Sequence, residues 1–222
     1  MLTLHYLKDS RAQRILWLLE ELNVPYEIKK YTRGPQGQAP AELEAINPLG
    51  KSPVITDDSV TLSESGAIVE YIIGKYGNGK AVPPESGRVD NTYFTHYAEG
   101  SLMPLLVQKF IFGMIPQHSP FYIRPLLNMV FGQLDRKLVV PEGKKHMQMI
   151  EAHLAKSKSI FFAGGDEPSA ADYMMAFPLE AILTEAPEMA GPKVREYVET
   201  VQARPAYKKA LEAGGEYAYA RS

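Results

Sequence analysis

The chain contains no cysteine. That excludes disulfides, cysteine-ligated zinc and a cysteine nucleophile, so any sulfur chemistry must be done on a sulfur brought by a ligand. Charge of one sign is also lacking: 24 basic residues stand against 26 acidic ones, for a formal net charge of -2. No basic block or stripe interrupts that balance, so the electrostatic footprint of a nucleic-acid binder is missing. The chain opens "MLTLHYLKDS" without a basic segment followed by an apolar one, and no secretory signal is expected. The missing cysteines suit a reducing, cytoplasmic setting. Long apolar runs are scarce as well. The most apolar region, Leu102 to Phe131, is broken by Lys109, His118, Arg124 and four prolines. No uninterrupted run approaches the ~20 residues of a spanning helix, so no transmembrane segment is expected.

What is present is ordinary for a globular chain of 222 residues: 45% hydrophobic and 23% charged. The first third alternates. "LTLHYL" and "YEIKKY" read as strands, and the leucine-rich stretch between them as a helix. "AELEAI" forms a short helix ending at "NPLG". "PVIT" and "SVTL" flank "DD" as a hairpin, and "SGAIVEYIIGKYG" is a helix stopped by Gly77. The Gly- and Pro-rich "GNGKAVPPESG" reads as a linker, and beyond it every periodic segment is helical. The expected organisation is an α/β unit over 1–78, a linker over 79–87 and an all-helical unit over 88–222.

Three stretches could carry chemistry. In "DSRAQR", Ser10 followed by Gln13 fits a capping box at the start of the first helix. A capping serine uses an acceptor lone pair, which leaves its proton free to point at an anion near the helix start. In "NPLGKSPVI", Gly50 permits a turn, Lys51 offers a positive charge, and Pro53 enters a strand either as an ordinary trans proline or with a cis bond. In "LSESGAIVEY", Glu64 and Ser65 sit at a helix start, where they serve as capping residues or as a zwitterion site, serine for a carboxylate and glutamate for an ammonium.

Together these stretches resemble the N-terminal thioredoxin-like domain of the cytosolic glutathione S-transferases, most closely the serine-type enzymes of fungi and bacteria. The resemblance is carried by "HYLKDSRAQRILWLLEELNVPYEI", "NPLGKSPVI" and "LSESGAIVEYI"; "EPSAADYMMAF" looks like the family's late capping-box segment. It implies a thioredoxin-like domain followed by a helical-bundle domain, glutathione as co-substrate without a metal, and a homodimer. By the same resemblance Ser10 hydrogen-bonds the glutathione sulfur, with Tyr6 as rival, because other classes use a tyrosine near that place. Lys51 contacts the glycyl carboxylate. Val54 pairs through its backbone with the cysteinyl unit beside a cis-Pro53, and Glu64 with Ser65 holds the γ-glutamyl end. Ser169 and Asp172 match a helix cap important for folding. Arg11 is a lesser candidate for a cation near the thiolate, while His5 and Trp17 read as packing residues.

The implied activity is attack of the thiolate on small apolar electrophiles, with peroxide reduction as a variant. The alternative is a non-catalytic glutathione-binding or regulatory module. A methionine-rich, aromatic wall suits apolar ligands, which makes Phe110, Phe112, Met114, Ile115, Phe121 and Tyr122 the candidate pocket residues.

Overall fold

A computed structural model describes residues 1–35 and 37–220. Four strands, β1 (Leu2–Leu7), β2 (Tyr26–Tyr31), β3 (Val54–Asp57) and β4 (Val60–Ser63), form one sheet in the order β2-β1-β3-β4. β1 runs parallel to β2, joined by helix α1 (Gln13–Leu22), while β3 is antiparallel to both β1 and β4. The β1–α1–β2 crossover is what a parallel pair requires. The remaining elements of this half are the short helix α2 (Ala41–Glu44) and helix α3 (Ser65–Tyr76). The hairpin turn lies at Asp58-Ser59, one residue later than the sequence pattern suggested, because Asp57 pairs with Val60. Asp58 adopts the left-handed conformation (φ 52°) that such a turn needs.

Because β1, β2 and β4 end where β3 begins, the segments after β1 and β4 and before β3 gather at one end of the sheet. The sheet's alternation sorts its side chains. Leu2, Leu4 and Tyr6 face the main core with α1 and α3, whereas Leu7 joins Tyr31, Leu43 and Val54 in a smaller cluster.

From Glu85 the described chain contains no strand. Helices α4 (Arg88–Tyr97) and α5 (Met103–Gln117) are joined by a π-turn over Ala98–Leu102, so the helical stretch Glu85–Gln117 is continuous over 33 residues. It is long and apolar enough to meet a length-and-composition test for a membrane span, a test that the core helix of a globular protein also passes. The helix simply runs through Pro104 and Lys109, and Lys109 is paired with Asp135 at 3.2 Å. Helix α6 (Arg124–Leu134) folds back on α5, and α7 (Val140–Lys156) continues from it through a second π-turn.

Helix α8 (Ala170–Glu185) is the centre of the helical half and is buried on every side through Leu183. Ser169 and Asp172 form the capping box at its start, and Asp172 also accepts the Phe162 N–H at 3.0 Å. Helices α9 (Pro192–Ala203) and α10 (Pro205–Gly214) complete the bundle. Trp17 of α1 packs on Tyr173 of α8 (centroids 4.6 Å apart) and on Tyr207 of α10 (6.0 Å), which joins the sheet half to the bundle.

Candidate functional site

The turn between β1 and α1 carries Ser10. It is tightened by Asp9, a non-glycine residue with φ 53°. Ser10 is only 7% exposed. Its Oγ accepts the Ala12 N–H at 3.2 Å and donates to Ser52 Oγ at 3.2 Å. Ser52 Oγ in turn donates to the His5 carbonyl at 2.9 Å and accepts the Leu7 N–H at 3.1 Å. The Ser52 hydroxyl is therefore saturated, one proton given and two received, whereas Ser10 keeps one lone pair and a long, readily redirected donation.

The capping box expected of Ser10 and Gln13 does not form. Helix α1 starts at Gln13 with Ala12 in the capping position and no side-chain cap. Gln13 is turned inward instead: it is 1% exposed, and its side-chain carbonyl receives the Tyr6 hydroxyl at 3.3 Å. Tertiary packing has taken the glutamine away from the helix end, and Ser10 supports the turn one step earlier. The two candidate hydroxyls also point differently. Tyr6 is 2% exposed in the main core, and burial, with the Asp9 charge, pushes its phenol up to about 12.

The Ser52–Pro53 bond is cis. Val54 is fully buried, and its backbone is flanked on both sides, by His5 in β1 and Ser63 in β4. Ser52 lies outside the ladder, and its own N–H and C=O make no backbone hydrogen bond among the described residues. An extended ligand pairing with the backbone here would find its open groups on Ser52 rather than on Val54. Lys51 is exposed, with no ion pair among the described residues.

The register that sets Val54 opposite Ser63 brings the start of α3 to the same sheet end. Glu64 caps α3 with φ 72° and ψ 119°, outside every region comfortable for an L-residue, at a cost of order ~1–3 kcal/mol. Its side chain is exposed, while Ser65 beside it is buried at the first helical position, where backbone N–H groups favour an anion.

Parts of the helical half reach the Ser10 turn. The Glu99 carboxylate, on the π-turn, bridges Arg11 (3.0 Å) and the wholly buried Arg14 (2.7 Å). Lys8 pairs with Glu216 at 2.6 Å, which anchors the C-terminal segment over the turn. The adjoining Tyr217 packs with Met103 and Phe177, and Leu106 and Tyr219 border the same cluster. Beneath it, the Glu180 carboxylate receives the hydroxyls of Tyr207 and Tyr217 and the Gln202 amide. Burial pushes that carboxyl up to about 7, against the downward pull of its three donors and of Arg14.

Sequence reasoning missed Ser52, Glu99 and the C-terminal tyrosines. Ser52 was legible only as the neighbour of Pro53, and "EYAYA" signals two aromatic residues beyond the last helix. The six apolar candidates lie on α5 and on the connection to α6. Phe110, Phe121 and Tyr122 are 67%, 80% and 72% exposed, and Phe112 packs on Phe131 (5.6 Å between centroids). His5 donates or accepts between Tyr31 and Thr56, and burial lowers its pKa. Among the described residues no three His, Asp or Glu side chains are placed to hold a metal ion.

Residues 2–74 match the family model described as "Glutathione S-transferase, N-terminal domain". Glutathione S-transferase 3 of Schizosaccharomyces pombe is 35% identical over 218 residues, which cover 96% of this chain and 87% of that protein. Glutathione S-transferase 1 of Saccharomyces cerevisiae is 31% identical, covering 96% and 94%. A solved structure of a glutathione transferase family member from Pseudomonas fluorescens, with two glutathione molecules bound, superposes with a TM-score of 0.74. It is 25% identical, over 95% of this chain and 92% of that one.

Proposed function

The chain belongs to the glutathione S-transferase family, and from that premise we propose that it is a glutathione transferase whose Ser10 hydroxyl holds the glutathione sulfur as a thiolate. The observation that carries this reading is the contrast between the two hydroxyls. Ser10 lies at the sheet end beside the cis Ser52–Pro53 bond with its proton on another hydroxyl, whereas Tyr6 is committed to Gln13 inside the core.

The energy required is modest. A free thiol has a pKa of ~8.5, and lowering it by two units takes ~2.7 kcal/mol of preference for the anion. A hydrogen bond to a charged partner contributes ~1.5–3 kcal/mol. The start of α1 adds ~0.3–1 kcal/mol. Ser10 turns its proton from Ser52 to the sulfur and remains protonated throughout; the thiol proton leaves to solvent. The thiolate then forms a bond to an electrophilic carbon while the leaving group departs with its electron pair.

In the same proposal Lys51 takes the glycyl carboxylate and Ser65, at the α3 start, takes the γ-glutamyl carboxylate, with Glu64 on the ammonium. The strained backbone of Glu64 supports its assignment, since such strain gathers at ligand clamps. The cysteinyl unit pairs beside Pro53, where Val54 begins β3 and the open backbone groups of Ser52 precede it. The apolar electrophile would lie between the Lys8–Arg11 turn and the cluster of Met103, Phe177 and Tyr217, with Phe110 to Tyr122 farther along the same helical hairpin. Residues 1–78 would then bind glutathione and 88–222 the electrophile. A homodimer and a cytoplasmic setting belong to the same reading.

Turnover of an activated aryl halide and of an organic hydroperoxide, each with glutathione, tests it. The account expects conjugation with the halide; hydroperoxide consumption would add the reduction variant. Glutathione binding without turnover of either would replace it with a binding module.

A further inference from the structure

The proposed sulfur donor has a neighbour of its own kind. Continuing the β1–β3 register two residues past the His5–Val54 pair would set Ser52 opposite Leu7. The backbone of Ser52 does not take that place: it lies outside the ladder, and its N–H and C=O make no backbone hydrogen bond among the described residues. The hydroxyl does the ladder's work on the β1 side instead. It accepts the Leu7 N–H at 3.1 Å and donates to the His5 carbonyl at 2.9 Å. The backbone groups of Ser52 are therefore left over for an extended ligand.

Ser10 meets the same hydroxyl from the turn before α1, with 3.2 Å between the two oxygens. The two oxygens are held alike. Ser10 Oγ is fixed by the Ala12 N–H and Ser52 Oγ by the Leu7 N–H, and neither bond depends on where the hydroxyl proton points. Each serine then has one proton that turns about its C–O bond, and each spends it on a neutral acceptor, Ser10 on Ser52 and Ser52 on His5. A bond to an anion is roughly twice as strong as a neutral one, so an anion arriving between them draws both protons. The approach to Ser52 is the more open of the two, since Ser52 is half-buried and Ser10 is 7% exposed. A ligand residue pairing with the open backbone groups of Ser52 sets its Cβ ~4.5–5.5 Å from that of Ser52, which brings a sulfur on that Cβ within reach of the hydroxyl.

We infer that Ser52 is a second catalytic donor, and that the glutathione sulfur is held between the Ser10 and Ser52 hydroxyls, one reaching it from the turn before α1 and the other from the residue that pairs with the cysteinyl unit. This rests on the reading that places the sulfur at Ser10. Ser52 turns its proton from the His5 carbonyl to the sulfur and remains protonated; no bond to carbon or sulfur forms on it. Its contribution is the smaller of the two, because the 2.9 Å bond it gives up is better than the 3.2 Å bond given up by Ser10.

The test is the pKa of the bound glutathione thiol, read from thiolate ultraviolet absorbance across pH, with glutathione affinity measured separately by calorimetry. It compares wild type with Ser52→Ala, Ser52→Thr, Ser10→Ala and the Ser10→Ala/Ser52→Ala double variant. Ser52→Ala should raise the thiol pKa by about 0.5–1 unit. Ser52→Thr keeps the hydroxyl and should stay within about 0.2 unit of wild type. The double variant should stand above Ser10→Ala by an amount similar to the Ser52→Ala effect. If Ser10→Ala raises the pKa while Ser52→Ala leaves it unchanged, the inference is overturned. Weaker glutathione binding without a pKa change would then show that Ser52 only ties its loop to β1. A lower pKa in Ser52→Ala would also overturn it, and would make Ser52 a competitor for the Ser10 proton. A wild-type pKa in Ser10→Ala is a different result, and would overturn the Ser10 reading and this inference with it.

Discussion

Two groups of hydroxyls in this molecule differ in what receives them, one closed on a carboxylate and one ending on a backbone carbonyl. Around Glu180, two tyrosine hydroxyls and the Gln202 amide converge on a carboxylate that the chain itself supplies, in a pocket no solvent reaches. At the sheet end, Ser10 and Ser52 form a chain of two small hydroxyls that ends on a backbone carbonyl, with no internal anion to receive them. Burial dominates at Glu180 and raises its pKa despite three donors, because the charge has lost its water. A thiolate arriving beside Ser10 would meet a donor and a helix start, with the partly exposed Arg11 held by Glu99 on the same turn. The same chemical group thus builds stability in one place and is proposed to build reactivity in the other.

Breaking the closed cluster should cost most. Glu180→Ala leaves the buried Tyr207 and Tyr217 phenols without an acceptor, and chemical denaturation should show a loss of about 3–5 kcal/mol. The closed cluster should also respond to pH. Glu180 in the folded chain titrates at about 7, against 4.5 for its ordinary value. The folded state therefore binds a proton that the unfolded state has released, so this contribution is complete below pH 4.5 and is lost as pH rises through about 7. Its size is about 3 kcal/mol. Unfolding midpoints should fall across that window in wild type and fall much less in Glu180→Gln.

The open cluster should give the reverse pattern, a functional loss with a smaller loss of stability. Ser10→Ala should lower kcat/KM for aryl halide conjugation by about 10- to 150-fold at neutral pH. Its stability should fall by about 1–2 kcal/mol, well short of the Glu180→Ala loss, because Ser10 does not cap α1 and gives up two long hydrogen bonds, from the Ala12 N–H and to the Ser52 hydroxyl. Tyr6→Phe should have the smallest effect of the series: it removes only the bond to Gln13, at ~1 kcal/mol or less, and should leave conjugation within about twofold of wild type.

The sequence showed where the open cluster lies but not how it is wired. Strand alternation and helical spacing mark β1 through α3 because each element there has one buried face, and Ser10, Pro53 and Ser65 sit at element ends that composition marks. Local signals failed where tertiary contacts outbid them. Gln13 fits a capping box by spacing, yet the core around Tyr6 and Gly214 claims its side chain. The spacing sets Asp57 in the turn, but it closes the hairpin as a strand pair with Val60.

Apolar composition was the least informative guide. Helices α8 and α5 are both strongly apolar, yet α8 is enclosed and α5 largely open, because α8 packs against α1, α3, α4 and α9 together. The C-terminal tyrosines could not be placed from sequence, because their partner Glu180 lies 37 residues from Tyr217 in the chain.

The most direct test of the account is the ultraviolet absorbance of glutathione thiolate, titrated onto wild type, Ser10→Ala and Tyr6→Phe at neutral pH. The account predicts a bound-thiolate signal in wild type and Tyr6→Phe that disappears in Ser10→Ala while glutathione still binds. Persistence of the signal in Ser10→Ala with its loss in Tyr6→Phe would contradict it, and would move the chemistry from the open serine turn to the buried core hydroxyl.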